Sequence, residues 1–292
     1  MFDSHGLSGH RAYTNDMGDY VRPSRLEEAL SALARPHTVL AGGTDFYPAR
    51  VGRTIDEDIL DITAVAGLRG ISTTATGWRL GATTSWRELI DADLPPLFDG
   101  LKQAAREVGG RQIQNAGTLA GNLCNASPAA DSVPGLLTLG AVVEIASRAG
   151  SRRVPLEQFI TGVRRTDLRP GELVVALHVA RPAHPARSAF LKLGARRYLV
   201  ISIAMAAATL EIAEGRVAAA RIAVGACSAV ARRLAALEAA LVGAPLDRQL
   251  ADRVDPTHIE PLAPIDDVRG TAGYRRESVL VLLRRLLAGL AP

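Results

Sequence analysis

The stretch that decides how this chain reads is Arg111-Gln112-Ile113-Gln114-Asn115-Ala116-Gly117-Thr118-Leu119-Ala120-Gly121-Asn122-Leu123-Cys124-Asn125-Ala126-Ser127-Pro128-Ala129-Ala130-Asp131. Glycines, a hydroxyl and carboxamides crowd together in it before an apolar helix expected over 133–139. A shorter segment of the same character stands far upstream. There the apolar strand Thr38-Val39-Leu40-Ala41 runs straight into Gly42-Gly43-Thr44-Asp45. Glycines let successive backbone N–H groups converge on one point, and such concavities bind anions. Two loops of this kind are able to clamp the two phosphates of a dinucleotide. Two ordinary tight turns between strands would read the same way, and the residues alone leave both readings open.

Outward from these segments, the chain divides into contrasting textures. Residues 1–18 are polar and are expected to form a mobile tail. A helix carries Leu26, Leu30 and Leu33 on one face, with Ser24 and Glu27 spaced as a capping box. Short strands are expected at 58–62 and 78–82. Helices are expected from Thr84 or Ser85 through Trp86 and Leu89, and over 97–108. A strand over 141–146 and a last one over 173–179 complete this half. Pro182-Ala183-His184-Pro185 marks a boundary. Beyond it, three long strands (188–193, 199–212, 216–224) precede helices over 231–242 and 275–290, with a loop over 252–270. That order predicts a separate α+β domain with its helices on one face of a three-stranded sheet.

Composition narrows the function classes. The chain has 292 residues, 48% hydrophobic and 22% charged, which suits two or three domains and excludes whole-chain disorder. Cys124 and Cys227 are the only cysteines, so this chain alone builds no disulfide scaffold, iron–sulfur cluster or four-thiolate zinc site. No apolar run reaches the roughly eighteen residues of a membrane span, and no apolar signal core opens the sequence. A cytoplasmic location is the expectation. The net charge is +4, and Lys102 and Lys192 are the only lysines among 34 basic residues. The arginines are scattered and aromatics make up 4%, which argues against a nucleic-acid partner. G-x-G-x-x-G, the P-loop, H-E-x-x-H and G-x-S-x-G are all absent.

The order of the two glycine segments resembles the FAD-binding subunit of the molybdenum hydroxylases, the xanthine dehydrogenase and aerobic carbon monoxide dehydrogenase family. Tyr20-Val21-Arg22-Pro23, Gly171-Glu172-Leu173-Val174 and Phe190-Leu191-Lys192-Leu193 extend the likeness over nearly the whole chain after the tail. The resemblance implies an α+β, vanillyl-alcohol-oxidase (PCMH) type FAD fold of two subdomains, about 19–56 and 57–181. A C-terminal domain of the carbon monoxide dehydrogenase flavoprotein type would cover 185–292. It further implies a first pyrophosphate loop of Val39, Leu40, Ala41, Gly42, Gly43, Thr44, Asp45 and Phe46. A second would contribute Thr118, Gly121 and Asn122. Asp131 falls where the family places a carboxylate near the ribityl and phosphate region. Val108 and Val174 fall at apolar flavin contacts, Lys192 where a lysine lies near the ring, and Tyr198 is a looser candidate.

By the same resemblance the chain is the medium subunit of an oxidoreductase. It would take electrons from 2Fe-2S clusters of a small subunit, fed by a large molybdopterin-binding subunit, in a dimer of heterotrimers. A free-standing flavin-dependent reductase and a flavin-less scaffold are the alternatives. One departure supports the scaffold: the second loop commonly reads Gly-Gly-Asn, and Ala120 replaces the first glycine. If that position needs a positive φ, the methyl group costs about 1 kcal/mol.

Several single residues also have plain structural readings. Lys192 fits the solvent side of an alternating strand. Asp131 fits a cap for the helix at Val133. Thr44 and Asp45 suit a turn. Cys124 and Cys227 read as small buried residues. Trp78 and Trp86 read as core or interface, and the six histidines show no ligand spacing.

Overall fold

The computed structural model describes residues 18–292. The tail expected over 1–18 therefore lies outside the described residues, Gly18 excepted. The first unit runs β1 (Tyr20–Val21), α1 (Leu26–Ala32), β2 (Thr38–Leu40) and β3 (Ile59–Asp61). Its three strands form a parallel sheet in the order β1-β3-β2. Helix α1 begins one residue later than the sequence spacing suggests. The Glu28 carboxylate, not Glu27, accepts the N–H groups of Ser24 and Arg25, each at 3.2 Å. Arg25 holds it there through Nε at 2.9 Å. A subdomain division near residue 56 would cut β3 from its two partners. Strand pairing moves that division beyond Asp61.

The second unit contains β4 (Ile71–Thr74), β5 (Gly77–Gly81), α2 (Trp86–Asp91), α3 (Asp99–Glu107), α4 (Arg111–Ala116), α5 (Leu119–Asn125) and α6 (Ser132–Thr138). It continues with β6 (Val142–Ser147), β7 (Gly150–Pro155), α7 (Leu156–Phe159), the short pair β8 (Ile160–Gly162) and β9 (Arg165–Thr166), and β10 (Leu173–Ala180). Five strands form an antiparallel sheet in the order β4-β5-β10-β6-β7. One face packs Leu80, Val143, Ile145, Val174 and Leu177 against α2, α3, α5 and α6. Ala146, Leu173 and Val175 turn the other way, towards Ala29, Leu60 and Leu68 of the first unit. The central strand β10 is thus buried on both faces, which suits its continuous apolar run Leu173–Leu177.

The third unit has β11 (Ala186–Leu193), β12 (Ala204–Ala213), β13 (Arg216–Gly225), β14 (Arg232–Arg233), α8 (Ala235–Leu241) and α9 (Ala272–Leu290). The three long strands expected from sequence pair consecutively, and the two-residue β14 adds an edge. Val279, Leu282, Leu283, Leu286, Leu287 and Leu290 give α9 an apolar stripe at helical spacing. That stripe packs with α8 over Ala204, Ala206, Ala208 and Leu210. The opposite face of the sheet is covered as well. Met205, Ala207 and Phe190 meet Ala104 of α3 there, and α6 crosses β12 and β13. The domain's own helices α8 and α9 thus lie on one face, as expected, and helices α3 and α6 of the second unit cover the other. The small side chains along Ala204–Ala208 let helices approach both sides.

Candidate functional site

A cleft of about 440 Å³ opens where the first unit meets the second. The segment after β2, the α4–α5 junction, the turn before β10 and the start of β10 line it. Val39, Leu40, Ala41, Gly42, Gly43, Thr44, Asp45, Phe46, Val108, Thr118, Gly121, Asn122 and Val174 all face it. The fold thus gathers both glycine segments and both valines into one wall.

The two segments touch backbone to backbone. A Cβ on Gly42 would sit 1.9 Å from the Ala116 carbonyl oxygen and 2.9 Å from Gly117 Cα. No side chain fits there. Gly43 follows with φ +69°, the left-handed region that glycine adopts without cost. Tyr47 N–H donates to the Gly43 carbonyl at 3.1 Å and closes the turn. Among the described residues, the N–H groups of Gly42, Gly43, Thr44, Asp45 and Phe46 donate to no protein acceptor. Unpaired amides in succession along a cleft wall are the donor set that an anion takes.

The second segment is built differently. Residues 111–116 and 119–125 are the helices α4 and α5, not a loop. The Thr118 hydroxyl caps α5 by accepting from Gly121 N–H at 3.1 Å. Leu119 N–H donates to the Thr84 carbonyl at 3.0 Å and Ala120 N–H to the Ala82 carbonyl at 3.1 Å. Asn122 N–H donates to the Thr118 carbonyl at 3.1 Å. The first-turn amides of α5 are therefore spent within the protein. What this segment offers the cleft is side chains: the Thr118 hydroxyl as a donor and the Asn122 amide. The carboxamide oxygen of Asn122 is fixed by Ser132 Oγ, which donates to it at 2.6 Å.

Ala120 is helical, 6% exposed and outside the positive-φ residues. The strain considered for it does not arise. Cys124 is exposed and lines the cleft, so it is not the small buried residue expected from sequence. Cys227 is buried as expected.

Three candidate residues lie outside the cleft lining. Lys192 Nζ, on β11, bonds Asp131 Oδ2 at 2.7 Å, and the Lys192 side chain is 5% exposed. Ser202 Oγ donates to the other oxygen of Asp131 at 2.5 Å. Burial pushes the Asp131 carboxyl upward, opposed by Lys192 and Ser202. Lys192 thus does not face solvent but pairs with Asp131, and Asp131 makes no side-chain cap to α6. Tyr198 is 57% exposed on the β11–β12 connection.

The cleft also contains residues that the sequence reading missed: Arg50, Ile113, Leu168 and Glu172, with Trp86 reaching it from the core. Glu172 is held from behind. Arg152 donates to its two oxygens at 2.7 and 2.6 Å and to Asp167 at 2.6 Å, which keeps the Glu172 carboxyl below its usual range. The Glu172 side of this arrangement is a bidentate ion pair that locks the turn before β10. No residue pattern marks Arg50 or Leu168 as cleft residues. Among the described residues, no group of three His, Cys, Asp or Glu side chains is placed to hold a metal. No helix among them is long and apolar enough to cross a membrane.

Residues 13–182 match the FAD binding domain in molybdopterin dehydrogenase, and residues 189–290 match the CO dehydrogenase flavoprotein C-terminal domain. The xanthine dehydrogenase FAD-binding subunit of Escherichia coli O157:H7 is 30% identical over 280 residues, covering 94% of this chain and 96% of that one. The carbon monoxide dehydrogenase medium chain of Afipia carboxidovorans is 31% identical over 277 residues, covering 91% and 94%. In three dimensions, quinoline 2-oxidoreductase from Pseudomonas putida 86 superposes with a TM-score of 0.84 at 28% identity, over 94% of this chain and 96% of that chain. A two-subdomain FAD-binding fold joined to a flavoprotein C-terminal domain is the class these features define. The chain belongs to the molybdenum hydroxylase family, as the medium, FAD-binding subunit of its oxidoreductase complexes.

Proposed function

We propose that this subunit holds FAD along the cleft and relays electrons from 2Fe-2S clusters of a small partner subunit to an external acceptor. A large molybdopterin-binding subunit would oxidise the organic substrate, and two heterotrimers would pair in the cytoplasm. The observation that carries this reading is the run of unpaired amides over Gly42–Phe46, set beside an apolar wall in one cleft.

The residues suit the cofactor in kind. The amides of Gly42–Phe46 are donors for a diphosphate, and the Thr118 hydroxyl and Asn122 amide add to them. Val108, Ile113 and Val174 supply the apolar surface that an isoalloxazine ring needs. When bound, the flavin supplies one- and two-electron redox chemistry, and the protein supplies position and electrostatics. No side chain of the cleft is asked for acid–base work on an organic substrate. Asp131 and Lys192 act in this reading as supports: Ser132, next to Asp131, fixes Asn122. The unstrained Ala120 removes the argument for a flavin-less scaffold.

The test is a visible spectrum of the protein purified with its native partners, followed by assays for molybdenum and iron. Flavin bands near about 370 and 450 nm with both metals in one fraction are expected. Flavin without metals would favour the free-standing reductase. A colourless protein that takes up no added FAD would sink the cofactor assignment.

A further inference from the structure

The cleft is poor in charge for a site that takes a dianionic diphosphate. Among the described residues its lining has one basic side chain, Arg50. Of its acidic side chains, Glu172 is already committed to Arg152. Arg50 ends the turn that follows the glycine segment, and its position is fixed from several sides. The guanidinium lies over the Phe46 ring, 3.8 Å from the centroid. Nη1 donates to the Phe46 carbonyl at 3.1 Å. Nε donates to Glu57, which also accepts the Thr38 hydroxyl. Nη2 has no acceptor among the described residues.

We propose that Arg50 is the cation that neutralises the diphosphate of the bound dinucleotide, with Phe46 and Glu57 positioning its free edge. The inference rests on the FAD reading above. Amides contribute only partial positive charge, whereas a guanidinium adds a full charge and a planar fork of donors that matches phosphate oxygens. Glu57 takes Nε and the Phe46 carbonyl takes one Nη1 donor, so Nη2 stays available. Stacking on Phe46 limits the side-chain freedom lost when an anion arrives. By this account Arg50 reads the diphosphate itself, and so favours a dinucleotide over the bare ring system of riboflavin.

The test uses the full-length chain freed of flavin, as wild type, Arg50→Gln and Glu57→Gln. FAD and riboflavin binding are measured by equilibrium dialysis, and ADP binding by displacement of FAD. Arg50→Gln is expected to weaken FAD and ADP by about ten-fold or more at low salt while leaving riboflavin unchanged. Glu57→Gln keeps the cation and loses only the charge of its anchor, so it is expected to weaken FAD measurably but by less than Arg50→Gln does. Equal losses in the two variants would show that the Arg50–Glu57 pair merely staples the loop, and would overturn the proposal. Unchanged FAD binding in Arg50→Gln, or an equal loss of riboflavin, would overturn it too. A wild type that takes neither FAD nor ADP would overturn the underlying reading and this inference with it.

Discussion

The two glycine segments look alike in sequence and do opposite things with their backbones. Gly42–Phe46 leaves its amides unpaired along the cleft, whereas the first-turn amides of α5 are consumed by Thr118, Ala82 and Thr84. The contrast teaches that richness in glycine marks close backbone approach and does not by itself mark an anion cradle. At Gly42 the approach is to Ala116 and Gly117, so one segment's glycine is demanded by the other's position. The first segment offers backbone donors to the cleft, and the second offers side chains on a packed helix.

Substitutions in the two segments should separate these roles. Gly42→Ala places a methyl against a carbonyl oxygen that cannot yield without moving α4. Stability is expected to fall by about 3 kcal/mol, with retained flavin falling alongside, read by urea unfolding and flavin content. A variant of wild-type stability would break the claim that the segments touch backbone to backbone. Thr118→Ala should cost less, about 1 kcal/mol, because a capping bond is lost while the Leu119 and Ala120 bonds remain. Its FAD affinity should drop by about ten-fold at most, since one neutral donor goes. A larger loss would mean that α5 contributes more than side chains. The smallest effect belongs to Ala120→Gly. A glycine there should lower the melting temperature slightly, by up to about 1 kcal/mol of stability, and bring no gain in FAD affinity. A clear gain in affinity would revive the idea that this position wants a positive φ.

Much of the fold was legible because its signals are local. Apolar strand-like runs over 188–193, 199–212 and 216–224 marked three strands, found at 186–193, 204–213 and 216–225, and the helix expected over 275–290 runs from Ala272 to Leu290. Strand β4 and the β6–β7 hairpin partner went unread: Ile71–Thr74 and Gly150–Pro155 are short, polar edge strands with little apolar pattern. Ala204–Leu210 was recognised as a strand but not as one covered on both sides, since the helices on its second face come from 99–138. In the site, the glycine segments were readable from the residues, and the two valines only through the family resemblance. Arg50, Leu168 and Glu172 were not, because no residue pattern around them marks their turns as facing the cleft.

By itself, the sequence determined the family, the long strands and helices of the C-terminal part, and the pair of segments that line the cleft. Only the tertiary structure decided which amides remain unpaired, that Ala120 is an unstrained helical residue, and that Lys192 is paired with Asp131. The physical reason is the same in each case. Whether a donor is free or a charge is available depends on acceptors brought from far along the chain, and local pattern carries no record of them.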